Sequence, residues 1–226
     1  MVLAQLASSP HWFYGIDAIF ELFSLIVATS IAFYGYKIYK ISGEVKYSHF
    51  SFSFLFLALA LMVRGILDVS IFEFIKNHGI RDFLSTIALG NSPLHNSGTD
   101  LYRLLMLSGY AFLIKALYKI EDWQKSSLLS LAVFVGVLGG KFTYFFIFNI
   151  VAFLLLLVIV KFFYDNYLKK KSINAKLTLL AFSLLALSEL FFVLLLRNSG
   201  FYTAAHLARL SGFAVLAYNL YLVFRK

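Results

Sequence analysis

The sequence predicts an all-α integral membrane protein, a seven-transmembrane-helix bundle, and three observations carry that reading. Of 226 residues, 61% are hydrophobic and only 14% are charged, against roughly 25% charged residues in a soluble domain. The mean hydropathy is +0.84, more apolar surface than a soluble chain of this length can bury. The apolar residues fall into runs near the ~20 residues that cross a ~30 Å hydrocarbon core as a helix. Seven such runs with short connections nearly exhaust the chain, so a single transmembrane domain over 1–226 is expected, with no soluble domain.

The runs predict helices at about 13–36, 50–74, 100–118, 125–140, 142–164, 176–196 and 202–223. The fourth is the shortest, and only Gly139-Gly140-Lys141 parts it from the fifth, so a long kinked or re-entrant segment is the competing reading there. No lysine or arginine occurs in Met1 to Pro10, which argues against a cleaved leader and for a retained first helix.

The net charge of +9 is not a nucleic-acid signal, because no basic stripe lies on a soluble face. The lysines cluster instead between apolar runs. Lys37, Lys40 and Lys46 follow helix 1; Lys115, Lys119 and Lys125 follow helix 3; Lys161, Lys169, Lys170, Lys171 and Lys176 follow helix 5; Arg225 and Lys226 close the chain. The alternate connections hold only Lys76, Arg81, Lys141 and Arg197. By the positive-inside rule the first set is cytoplasmic, so the N-terminus lies outside and the C-terminus inside, in what is expected to be the plasma membrane. Tyr34, Tyr36, Tyr39, Tyr47, Tyr164 and Tyr167 flank these turns as interfacial aromatics do. Residues 75–99 form the longest connection, on the outer side, and Ile80 to Leu89 within it could lie as a short amphipathic helix, either capping an outer cavity or as a passive surface loop.

The chain also repeats itself. Leu107-Ser108-Gly109-Tyr110-Ala111-Phe112-Leu113 with Leu117-Tyr118 aligns without gaps on Leu210-Ser211-Gly212-Phe213-Ala214-Val215-Leu216 with Leu220-Tyr221. Helices 2 and 6 share the weaker Ala60-Leu61 and Ala186-Leu187, and helices 1 and 5 both end in tyrosine and lysine. The pattern predicts a parallel 3+1+3 duplication with helix 4 as linker and 75–99 as an insertion, a known transporter device; chance similarity of apolar helices is the rival explanation. The layout resembles that of the seven-helix sugar transporters called SWEETs and, more loosely, of rhodopsins. The resemblance is one of topology alone. Those transporters carry prolines within their helices, whereas Pro10 and Pro93 both fall outside the spans; a retinal protein needs a mid-helix-7 lysine, and none stands between Arg209 and Arg225. No functional residue is carried over.

Ionisable residues inside a membrane are expensive and usually face the bundle interior. Glu21, Arg64, Arg103, Asn149, Glu189 and Arg209 all count to the outer third of their helices, with Asp17, Asp68, Asp100 and His206 nearer the surface. Asp17 and Glu21 are i,i+4, as are Arg64 and Asp68, so each pair shares a face. The layer has two readings: an ion-pair network that fixes helix order, or an outer cavity with an arginine free to hold an anionic or strongly polar ligand. The candidate ligand-binding or ion-pair set is Glu21, Arg64, Asp68, Arg103, Asn149, Glu189, His206 and Arg209. His11, His78, His95 and His206 lie towards the outer face without tight ligand spacing, so no metal and no cofactor is expected. With no cysteine, no G-x-S-x-G elbow and no pair of histidines one turn apart within a span, an enzyme is disfavoured, and only Glu21, Glu189 and His206 could serve as acid and base.

The function expected is therefore binding of a small polar, anionic or amphiphilic ligand in an outer-leaflet cavity, most plausibly for transport. A receptor signalling through a cytoplasmic partner, an intramembrane enzyme and a structural subunit of a membrane complex are the rivals. The expected partners are the lipid bilayer and a small-molecule or lipid ligand, with a second copy or a membrane complex as candidates and no nucleic acid.

Overall fold

The computed structural model describes residues 13, 15–88, 93–142, 145–195, 198 and 200–225. Side chains are described in that set except at 75, 78, 80–88, 93–96, 139–142 and 145. Seven α-helices make up almost all of it: α1 (Ile16–Ser42), α2 (Val45–Ala88), α3 (Pro93–Tyr118), α4 (Trp123–Phe142), α5 (Phe145–Lys170), α6 (Ile173–Leu194) and α7 (Gly200–Phe224). Six of them hold stretches long and apolar enough to cross a membrane; in α4 the apolar stretch is shorter, Trp123–Leu138. The chain is an all-helical membrane protein.

The helices outrun the apolar segments that announce them. Nothing in a lysine or tyrosine stops a helix, so α1 continues past Tyr36 through Lys37 and Lys40 until Gly43 takes a left-handed φ of 69° and returns its N–H to the Tyr39 carbonyl. Lys171 does the same at the end of α5, with φ 47° and a bond to the Tyr167 carbonyl. Ser172 then caps α6 by accepting from the Ala175 N–H. The connection expected over 75–99, with a possible short helix over 80–89, is helical up to Ala88 as a continuation of α2, and α3 begins at Pro93. The one break within is Gly79, at φ 82° and ψ 160°, where glycine turns the chain between two helical pieces that lack any other breaker.

Packing is densest within α1–α2–α3 and within α5–α6–α7; α1 meets α7, α3 meets α5, and α4 bridges α3 and α5. Small residues set the close approaches. A Cβ on Gly109 would stand 2.8 Å from Leu57 and 3.0 Å from the Ser53 carbonyl oxygen, and one on Gly212 would stand 3.0 Å from Leu185 and 3.1 Å from the Ala181 carbonyl oxygen. The same wedge thus recurs between α2 and α3 and between α6 and α7. It pairs Leu57 with Leu185 and Phe54 with Phe182, two residues out of step with the Ala60/Ala186 alignment read from sequence.

The exterior is apolar, and the charges that the spans carry are drawn inside, beside an apolar core. Phe33, Leu128 and Ile19 are 70%, 65% and 65% exposed, while Asp17, Glu21, Arg103, Glu189 and Arg209 are buried. That inversion is what lipid as solvent demands, since apolar groups cost nothing there and charges must find partners inside.

Candidate functional site

The polar layer is built where α1 meets α7. On α7, Tyr202, His206 and Arg209 stand at i, i+4 and i+7, one stripe of a helix; on α1, Asp17 and Glu21 stand at i, i+4. The stripes face each other. The Tyr202 hydroxyl donates to Asp17 Oδ2 at 3.0 Å, His206 Nδ1 lies 3.8 Å from Glu21 Oε1, and Arg209 Nη1 donates to the same Glu21 oxygen at 3.2 Å. Asp17 is itself fixed by accepting from the Gly15 and Ala18 N–H groups on its other oxygen.

From α6, Glu189 completes the group by accepting from Arg209 Nη2 at 2.9 Å. One guanidinium fork therefore holds two carboxylates on two helices, and all three side chains are buried. Arginine suits this place because its rigid planar fork reaches both acids at once, as a lysine point charge cannot. Around it the ring of Phe192 lies 4.9 Å from the guanidinium, and Phe13, Phe192 and Tyr202 pack on His206 with centroids 5.7, 5.3 and 4.6 Å away. Glu21 Oε2, Glu189 Oε2, His206 Nε2, Arg209 Nε and Asn149 Nδ2 are buried without a hydrogen-bond partner.

The other predicted residues do not all join this centre. Arg64 bonds Asp68 at 3.1 Å within α2, lies 5.8 Å from the Tyr102 ring, and stays within coulombic range of Glu21. Gly65 beside it is the contact point, where a Cβ would meet that of Glu21 at 3.8 Å. Arg103 bonds Asp100 at 3.3 Å within α3 and stacks 5.9 Å from Phe148 on α5. Asn149 is buried near that second seam. The eight predicted residues thus divide into Glu21, Glu189, His206 and Arg209, which converge, Arg64 with Asp68 beside them, and Arg103 and Asn149 at the α3/α5 side. Among the described residues no group of three histidine, aspartate or glutamate side chains could hold a metal; His11, His78 and His95 lie outside the residues whose side chains are described.

A feature not anticipated from sequence lies towards the other end. A cavity of about 470 Å³ opens between the two three-helix groups, walled by Ile31, Phe54, Phe163, Phe182 and Leu216 and rimmed by Tyr34, Lys46, Tyr47 and Lys119. Ile38, Lys46, Lys119 and Val223 border it together, so the lysine-bearing ends of α1, α2, α3 and α7 share one end of the bundle. Leu216 is two turns from Arg209 and Phe182 two turns from Glu189, which sets the cavity floor about 10 Å from the ion network. Aromatic pairs stand at both seams, Tyr34 with Phe224 (5.0 Å) and Tyr118 with Phe162 (5.2 Å). This cavity lies in the half away from the polar layer, where Glu21, Glu189 and Arg209 are themselves buried.

No family model, curated protein or solved structure matches this chain. Function is read from the geometry alone.

Proposed function

We propose that this protein is a transporter for a small polar, anionic or amphiphilic molecule, built as two three-helix halves joined by α4 as a seventh crossing, with the lysine end in the cytoplasm. The observation that carries the reading is the axial order between the halves: a buried ion network on one side and an open cavity on the other. That order is what alternating access requires in one of its two end states, with the path lying between parallel repeats. The Asp17–Tyr202 and Glu21–Arg209 contacts act as the outer closure, because they cross from one half to the other. Glu189 shares a half with Arg209 and keeps the arginine in place when the seam parts.

Several features support the duplicated halves. A constant shift of 128 residues (170 − 42) carries Ser42 onto Lys170, Gly43 onto Lys171 and Val45 onto Ile173, so helix ends and left-handed caps coincide. The same shift carries Phe54, Leu57 and Ala58 onto Phe182, Leu185 and Ala186, while Gly109 maps to Gly212 by 103 (212 − 109). The difference of 25 residues (128 − 103) falls on the helical segment that contains Gly79, read as an insertion. The 128-residue shift also carries Glu21 onto Asn149, and the 103-residue shift sets Met106 opposite Arg209. Neither end of the Glu21–Arg209 contact therefore has a charged counterpart in the opposite half, and the closure is not repeated.

Paired spin labels test the reading. Ile41 on α1 and Ile173 on α6 are exposed at the lysine end, and Ile19 on α1 and Leu207 on α7 at the other. A transporter in lipid nanodiscs shows two distance populations for each pair, and conditions that shorten the first lengthen the second. A receptor subunit or structural protein shows one distance for each pair under all conditions, which would reject transport.

A further inference from the structure

The cavity at the lysine end does not suit most small polar solutes, and its chemistry narrows what it takes. We propose that it binds a single-chain anionic amphiphile, head at the Lys46–Lys119 rim and tail along Phe54, Phe163, Phe182 and Leu216. The inference rests on the transport reading for the cavity's role but not for its occupancy. The volume of about 470 Å³ falls within the ~300–1,000 Å³ of small-molecule sites. At ~30 Å³ for a water-sized group it holds about fifteen such groups, one acyl or prenyl chain rather than the two of a common phospholipid.

The walls argue for the tail. Ile31, Phe54, Phe182 and Leu216 form the floor, all buried, and no ionisable side chain lines the cavity below the rim. A polyhydroxylated or zwitterionic cargo would press its polar groups against this surface without hydrogen bonds, which is unfavourable. Asn219 and Thr178 offer the one neutral polar point. Asn219 Nδ2 donates to Thr178 Oγ1 at 2.9 Å, and Asn219 Oδ1 is buried without a hydrogen-bond partner.

The rim argues for the head. Both ammonium groups lining the cavity, Lys46 and Lys119, are cationic, and no carboxylate lines it. Lys46 is paired with Glu44 and lies 4.7 Å from the Tyr47 ring. An exposed pair of this kind is weak, so an incoming carboxylate or phosphate can displace Glu44 and gain a charge-assisted bond in a drier setting. Lys119, at the left-handed end of α3 with φ 50°, stands across the rim on another helix. The site lies where the headgroup region of the inner leaflet would be, which gives a leaflet-borne amphiphile a direct route.

A long-chain carboxylate and a single-chain phosphate share this chemistry, and the test separates them. The whole protein in nanodiscs is titrated with oleate, with 1-oleoyl-glycerol-3-phosphate and with neutral mono-oleoyl-glycerol, and binding is read by native mass spectrometry after release from the disc. One saturable site is expected, with the neutral lipid at least about tenfold weaker than the better anion; which anion leads identifies the source. Lys46→Gln with Lys119→Gln should remove that preference while the neutral lipid is unaffected. Leu216→Trp, which fills the floor, should abolish all three, and because it is buried its folding is checked against the unaltered thermal midpoint of the lysine variant. Equal binding of the neutral lipid, or full anion binding by the lysine double variant, overturns the proposal, and so does binding that a folded Leu216→Trp leaves intact. Alternating distances without anion binding would leave transport standing and reject this cargo; anion binding without alternation would do the reverse.

Discussion

Replacing Arg209 with leucine should be the most destabilising single change in the bundle that leaves side-chain volume roughly intact. The guanidinium is bonded to Glu21 at 3.2 Å and to Glu189 at 2.9 Å, and both carboxylates are 1% exposed or less. Removing it leaves two acids in a low-dielectric interior without their bonded countercharge, Glu21 keeping only the more distant Arg64, and breaking a buried pair in this way costs ~3–5 kcal/mol. The lost contact with Phe192 adds a smaller amount, since a cation against an aromatic face is worth ~0.5–2 kcal/mol. Arg209→Lys should cost less, because one carboxylate keeps a cation but the fork can no longer span both. Equilibrium unfolding in mixed micelles, followed by helix content, gives the comparison. If Arg209→Leu unfolds within about 1 kcal/mol of the parent protein, the network is not the internal constraint described here and the assignment of its contacts is wrong.

Three further outcomes follow from the same geometry. Arg103→Leu should cost less than Arg209→Leu in the same unfolding assay, because the Asp100 side chain is 29% exposed and can be solvated when the arginine goes. Gly109→Ala and Gly212→Ala should each destabilise by ~1–3 kcal/mol and by similar amounts, since each new methyl meets a leucine and a carbonyl oxygen at 2.8–3.1 Å; a loss confined to one of them would break the equivalence of the halves. A cysteine placed at Lys171 in this cysteine-free chain should react with an impermeant maleimide only from the cytoplasmic face, and reaction from outside would invert the topology.

Much of this was legible in sequence because membrane burial leaves strong traces. A run of some twenty apolar residues has one stable conformation in lipid, so the helices and their polar depth could be counted from the chain. The i,i+4 spacing of Asp17 with Glu21 and of Tyr202 with His206 marks one face on each helix, but nothing in the sequence says that those faces meet. Arg64, Arg103 and Arg209 look alike along the chain. Only packing decides that Arg209 bridges two helices while the others bond acids on their own helix. Residues 75–99 read as a connection with at most a short amphipathic helix over 80–89 because they are too polar for a span, whereas among the described residues helix continues to Ala88 with its break at Gly79. The cavity was invisible for a different reason: Phe54, Phe182 and Leu216 read as ordinary apolar residues, and a void between helices has no residue pattern of its own. Thr178 and Asn219, whose bond marks its polar wall, are 41 residues apart.

The central claim is that the path between the halves opens to one side at a time, and Leu216→Cys on the cavity floor tests it most directly. In sealed, oriented vesicles the account predicts reaction with an impermeant maleimide from the lysine side and, more slowly, from the opposite side, while the vesicles stay closed to the reagent itself. Reaction from the lysine side alone, however long the exposure, would contradict it.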